Sequence, residues 1–206
     1  MRAGRLTLRL IACWLALVAF PLALPQAQAH PHIFIVQRVT VVFDEMGLAG
    51  IRVRWKFDDM FAGMIAEDFD LNRNGRLDPE EVIAVHADAF AYIAAYSYFT
   101  FITIDNQPFE VSAITDFDAV LENGGLFYEF FIPCRVPAAK HLRAVSVASY
   151  DPSYYTALFF AEKSPVTLMG ADGHEVHTAI RQDPDTKIYY DMIHPWSLFM
   201  EFRKPS

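Results

Sequence analysis

Three features of this sequence predict an α+β fold: mainly antiparallel β, as a sandwich or partly open barrel, with an inserted helical hairpin of EF-hand type. Short runs of β-branched and aromatic residues recur at regular spacing between turn residues. A single stretch of helical periodicity, at about residues 59–97, interrupts them. Within that stretch lies a twelve-residue segment, 70–81, rich in side-chain oxygens and carrying a glycine at its sixth position.

The chain opens with Arg2, Arg5 and Arg9, an apolar run over 10–24, and Ala27-Gln28-Ala29. That order is a secretory signal peptide, and it predicts removal of residues 1–29 so that the mature chain begins at His30. The run is shorter than the roughly 20 residues a bilayer span needs, and Pro21 and Pro25 break its end. Cys13 lies early in the run instead of after it, so Leu10-Ile11-Ala12-Cys13 does not read as a lipidation site. Residues 30–206 are expected to form one periplasmic domain, long enough for a substantial core. No second apolar segment is read as reaching membrane-spanning length, so no membrane anchor is expected after cleavage.

Loss of the leader takes three arginines, leaving 14 basic against 25 acidic residues, a net charge of −11. Such a surface repels nucleic acid and anionic lipid and favours cations. Cys134 is the only cysteine left, in Phe130-Phe131-Ile132-Pro133-Cys134, and is expected in the core at a strand end.

Residues 33–43 read as the first strand and Asp44-Glu45-Met46-Gly47 as a turn. Ile51, Val53, Trp55 and Phe57 then alternate with Arg52, Arg54, Lys56 and Asp58, the pattern of a strand with one buried face. The two should form a hairpin that puts the new terminus at an edge of the fold. Residues 59–69 read as a helix with Met60, Met64 and Ile65 on one side. A second helix starts at Asp78-Pro79, with Glu81 as capping-box partner, and runs to about Ser97, with Val82, His86, Phe90 and Ile93 on one face. Beyond it, strands are expected at 99–104, 109–115, 126–132, 142–149, 157–161, 166–169 and 174–180. Asp105-Asn106-Gln107-Pro108, Glu122-Asn123-Gly124-Gly125 and Ala171-Asp172-Gly173 serve as turns.

The 70–81 segment matches the calcium loop position by position. Asp70, Asn72 and Asn74 offer side-chain oxygens at one, three and five, and Gly75 permits the turn at six. Arg76 contributes its carbonyl at seven, Leu77 points inward at eight, Asp78 acts directly or through water at nine, and Glu81 closes the site as the bidentate ligand. Two amides stand where carboxylates bind more strongly, and Arg73 and Arg76 oppose a cation, so affinity for Ca2+ is expected near the weak end, about 10⁻⁴ to 10⁻³ M. The competing reading is an Asn-Gly turn in which Asp78 and Glu81 only cap a helix. With no second loop to pair with, a structural clamp fits better than a sensor.

Cleavage after Ala29 would set a free α-amine beside the imidazoles of His30 and His32, a constellation that can chelate Ni2+, Co2+, Zn2+ or Cu2+. Pro31 has no amide hydrogen, which disfavours the square-planar copper site built from successive deprotonated amides. The plainer alternative is two polar residues at a frayed end. His141, His174, His177 and His194 are further ligand candidates, and His86 reads as a half-buried helix residue. Neither a nucleophile-and-base pattern nor a phosphate loop nor a Cys-x-x-Cys motif is present, and Asp116, Asp118 and Asp151 read as turn residues, so the chain is not expected to be an enzyme.

His30-Pro31-His32, Trp55-Lys56-Phe57-Asp58, the loop followed by Tyr96-Ser97-Tyr98-Phe99-Thr100, and Tyr150-Asp151-Pro152-Ser153-Tyr154-Tyr155 occur in this order over nearly the whole mature chain. In this the sequence resembles an uncharacterised family of bacterial periplasmic proteins, a domain of unknown function. Its members are described as the periplasmic component of an uncharacterised ABC-type transport system and are often encoded beside nickel/cobalt-type permeases. The resemblance implies transition-metal handling with an inner-membrane permease or ABC-type transporter as partner, and His30 and His32 as ligands. Similar proteins often carry aspartates where Asn72 and Asn74 stand. The alternative is a calcium-stabilised periplasmic interaction module with no transition-metal role.

Overall fold

The computed structural model describes residues 31–205. The expected leader 1–29, its expected cleavage junction and His30 lie outside the described residues. Strand β1 (Ile33–Asp44) buries every second side chain, and β2 (Gly47–Phe57) returns antiparallel beside it with Gln37 opposite Trp55. Strand β2 must pass close to its other neighbour. A Cβ on Gly50 would stand 2.5 Å from the Ile132 carbonyl, so only glycine fits there.

Helix α1 (Asp59–Phe69) and helix α2 (Pro79–Val85) follow, separated by the oxygen-rich loop. The second helix is not one α-helix to Ser97 as expected. It passes into a π turn (His86–Phe90) and a 3₁₀ run (Ala91–Phe99), ended by left-handed Ser97, Tyr98 and Phe99. Left-handed residues cannot continue the helix, and β3 starts at the next position, Thr100. Phe90 of this run packs on Trp55 and Phe130, and Val85 and Ile93 are buried in the same core. Of the face expected there, Val82 and His86 are only half-buried.

The remaining strands are β3 (Thr100–Ile104), β4 (Gln107–Phe109), β5 (Thr115–Glu122), β6 (Gly125–Pro137), β7 (Arg143–Ser149), β8 (Thr156–Phe160), β9 (Val166–Met169), β10 (Glu175–Gln182) and β11 (Trp196–Arg203). They make two open sheets, in the orders β5-β6-β2-β1-β8, with β9 also on β1, and β10-β11-β7-β3-β4. Among the described residues the chain is thus mostly β and forms no closed barrel. The sheets share one core: Phe43 of β1 meets Phe202 of β11 edge-on at 5.2 Å, and Trp55, Tyr128, Phe130 and Leu198 are all but fully buried. Each such side chain contributes about 1.5–3 kcal/mol through burial.

Several expectations are corrected. The β1–β2 hairpin forms as expected, and β8 and β9 add to the other side of β1 in parallel, so β1 is interior to its sheet. The strand expected over 109–115 is absent. β4 ends at Phe109, and the next strand begins at Thr115, placing Asp116 and Asp118 within β5. Strand β11 was not anticipated. Helix α1 buries Phe61, Ala62 and Ile65, while Met60 and Met64 face solvent, because its inner stripe is set by Phe61, Ile65 and Phe69 at spacing four. By length and composition alone, the run Pro79–Phe99 is also apolar enough to cross a membrane, contrary to the sequence reading. Cys134 is buried within β6, and burial pushes its thiol up to about 12.

Candidate functional site

The loop is ordered by its own side chains. Asp70 is 7% exposed; its Oδ1 accepts from the Asn74 N–H at 3.0 Å and its Oδ2 from the Gly75 N–H at 2.8 Å. Asn72 Oδ1 accepts from the Asn74 N–H at 3.0 Å, and Asn74 Oδ1 from the Arg76 N–H at 2.9 Å. Gly75 takes φ +77°, the left-handed turn expected of position six. Glu81, 9% exposed, spans the loop: Oε1 accepts from the Leu71 N–H at 3.0 Å and Oε2 from the Asp78 N–H at 2.8 Å. Asp78 Oδ2 accepts from the amide nitrogens of Asn72 at 2.8 Å and Asn74 at 3.4 Å.

Positions one, three, five, nine and twelve therefore close on one another through hydrogen bonds. Among the described residues, however, no three His, Cys, Asp or Glu side chains are gathered as a metal-holding group. Two of the five positions are amides, and the carboxylates of Asp70 and Glu81 are turned to backbone N–H groups. The donor set still suits a hard cation, since the oxygens named on Asp70, Asn72, Asn74 and Glu81 each accept one hydrogen bond and keep a second lone pair, and Arg76 adds a carbonyl.

The histidines are dispersed. His32 is exposed at the head of β1; its N–H donates to the Tyr155 carbonyl at 2.8 Å and its ring lies 4.8 Å from the Tyr155 ring. His174 bonds through Nε2 to the Asp44 carbonyl at 2.9 Å, by the β1–β2 turn. His194 Nδ1 lies 3.0 Å from the carbonyls of Asp183 and Thr186, to which it can only donate. His86 packs on Phe90 and Phe117, and His141 and His177 are exposed.

One residue that positions His32, through Tyr155, was read from the sequence only as a turn residue. Asp151, 5% exposed, folds the 150–155 segment around itself: Oδ1 accepts from the N–H and hydroxyl of Ser153, and Oδ2 accepts from the Thr156 N–H at 2.9 Å. This turn presents Tyr155 to His32. Tyr92 is 60% exposed overall, but desolvation of its hydroxyl first, then the charges of Asp151 and Tyr155, raise that hydroxyl above the ordinary tyrosine range. The signal for Asp151 was its place in the Tyr-Asp-Pro-Ser-Tyr-Tyr segment.

Fold and loop together define a mostly β protein of two open sheets carrying a helix–loop–helix ordered by buried carboxylates. A family described as a protein of unknown function (DUF1007) matches residues 15–192, and the chain belongs to that family. It is also 30% identical over 135 residues to an uncharacterised 15.5 kDa protein in the trpE 3′ region of Spirochaeta aurantia, covering 65% of this chain and 94% of that one. To an uncharacterised protein of Haemophilus influenzae it is 24% identical over 162 residues, covering 78% of this chain and 77% of the relative.

Proposed function

We propose that this chain is an exported, periplasmic metal-binding accessory protein that handles a transition metal, Ni2+, Co2+, Zn2+ or Cu2+, for an inner-membrane permease or ABC-type transporter. The observation that carries this reading is the anchorage of His32. Its backbone and ring are tied to Tyr155 while the side chain stays exposed, so a chelate with His30 and the new α-amine forms on a fixed base instead of a frayed end. Pre-ordering of one ligand lowers the entropy lost on binding.

The Asp70, Asn72, Asn74, Arg76, Asp78 and Glu81 loop serves in this proposal as a structural calcium site. Bound Ca2+ would neutralise the two buried carboxylates. The loop's internal order favours a second reading as well, a calcium-stabilised interaction module without transition-metal chemistry.

Titration separates the two. The protein is prepared with His30 as its first residue, with one added N-terminal Ala, and as His32→Ala, then titrated with nickel, zinc and copper at a pH above the amine's usual value of about 8. The accessory reading expects tight binding by the first form alone. Equal affinities in all three would remove the terminus from the mechanism, and absence of tight binding would leave the interaction module.

A further inference from the structure

Helix α1 presents an apolar pair to solvent where a stable helix would carry charge. Met60 and Met64, one turn apart, are 68% and 49% exposed. Leu71 in the loop and Ile83 on α2 are 79% and 69% exposed. The run Pro79–Phe99, for all its apolar character, is only 22% buried over its most apolar stretch. Single exposed apolar residues are ordinary, but four on one helical hairpin are not.

Between the end of α1 and the outer side of α2 lies a groove of about 660 Å³. Phe69, Leu71 and Ala84 supply apolar lining, and Asp68, Glu80 and Asp88 add exposed carboxylates. Glu80, Ala84 and Asp88 recur at spacing four, so the helix turns one acid–apolar–acid stripe into the groove. Charge is concentrated here. Residues 58–88 hold nine acids and two arginines, a net −7 of the mature chain's −11.

We propose that this groove docks a cationic amphipathic segment of a partner protein. The alkyl stems of its lysines or arginines would lie along Leu71 and Ala84, and their charged heads would reach Asp68, Glu80 and Asp88. Charge chooses this occupant over a membrane surface, because anionic headgroups are repelled by the same three carboxylates. The surface goes beyond the metal-handling reading and needs no metal at the histidines. Asp78 and Glu81 also border the groove, so calcium is held constant in the test.

The mature protein is titrated calorimetrically with a helix-forming leucine–lysine peptide, with polylysine of equal charge, with a leucine–glutamate peptide, and with phosphatidylglycerol vesicles. Binding of the leucine–lysine peptide, at least about tenfold tighter than polylysine, is expected. The double variant Glu80→Gln/Asp88→Asn and the single variant Leu71→Ser should each weaken it about tenfold while leaving the melting temperature within a few degrees. All three sites are exposed, so folding is not at stake, and a circular-dichroism melt checks it. Equal binding of polylysine, no effect of either variant, or binding to vesicles in place of the peptide would each overturn the proposal, the last in favour of a membrane surface.

Discussion

Asp58 holds the head of β1 to the head of α1: one carboxylate oxygen accepts the N–H of Phe34 at 2.7 Å, and the other accepts the N–H of Phe61 at 2.9 Å. The Asp58 N–H in turn donates to the Phe34 carbonyl at 3.0 Å. One side chain thus caps the helix leading to the oxygen-rich loop and fixes the head of the strand that begins at Ile33.

Both oxygens are engaged, so Asp58→Asn should fall between wild type and Asp58→Ala, since the amide oxygen can keep only one of the two bonds. Loss of the cap alone costs about 1–2 kcal/mol. Urea denaturation of the two variants checks this. An asparagine variant as stable as wild type would show that the Phe34 contact carries no weight.

Glu81→Ala should destabilise the calcium-free protein by about 1–2 kcal/mol, because the N–H groups of Leu71 and Asp78 lose their acceptors. It should also abolish stabilisation by calcium. Wild type is expected to gain about 2.7 kcal/mol at a hundredfold excess over the dissociation constant. Melts in calcium and in chelator provide the measurement, and identical wild-type curves would reduce the loop to a capped turn.

Replacing both amides, Asn72→Asp with Asn74→Asp, should change the two states in opposite directions. Without calcium the donors to Asp78 are lost and like charges face each other, lowering stability. With calcium the added charge should tighten binding about tenfold or more. Isothermal titration together with paired melts tests both signs.

Cys134 should resist alkylation in the native state at pH 8 and react at once in denaturant, because its buried thiol ionises only near 12. The linkage has a definite sign. A raised folded value means that stability is whole below the unfolded value of about 8.5 and falls as pH rises from there toward 12. Mass spectrometry after a timed iodoacetamide pulse reads the first effect, and urea midpoints at pH 8 and 10 read the second.

Local signals were enough for the parts of this protein that are decided locally. Asp78 as a cap, Pro79 at the first turn and Gly75 at position six specify the start of helix Pro79–Val85 and the loop before it, whereas Asp58, read as the polar end of a strand, is shown to cap Asp59–Phe69 only by the structure. The alternation through Trp55 and the paired turn residues Asp105-Asn106 and Asn123-Gly124, all at positive φ, likewise define hairpins from their own residues. These features depend on backbone and side-chain preferences within a few positions, so a single chain read in order displays them.

What tertiary structure decided is which of several locally acceptable partners each element meets. Nothing in β8 or β9 states that they pair in parallel with β1, and nothing in α1 states that Phe61, Ile65 and Phe69 win the core from Met60 and Met64. The break from α2 into π and 3₁₀ turns follows from fitting Phe90 against Trp55 and Phe130 while reaching β3. The seat of His32 on Tyr155, 123 positions away, exists only because Asp151 folds the turn that delivers Tyr155 to the head of β1. Burial and long-range pairing are competitions among all elements at once, and periodicity within one element does not record their outcome.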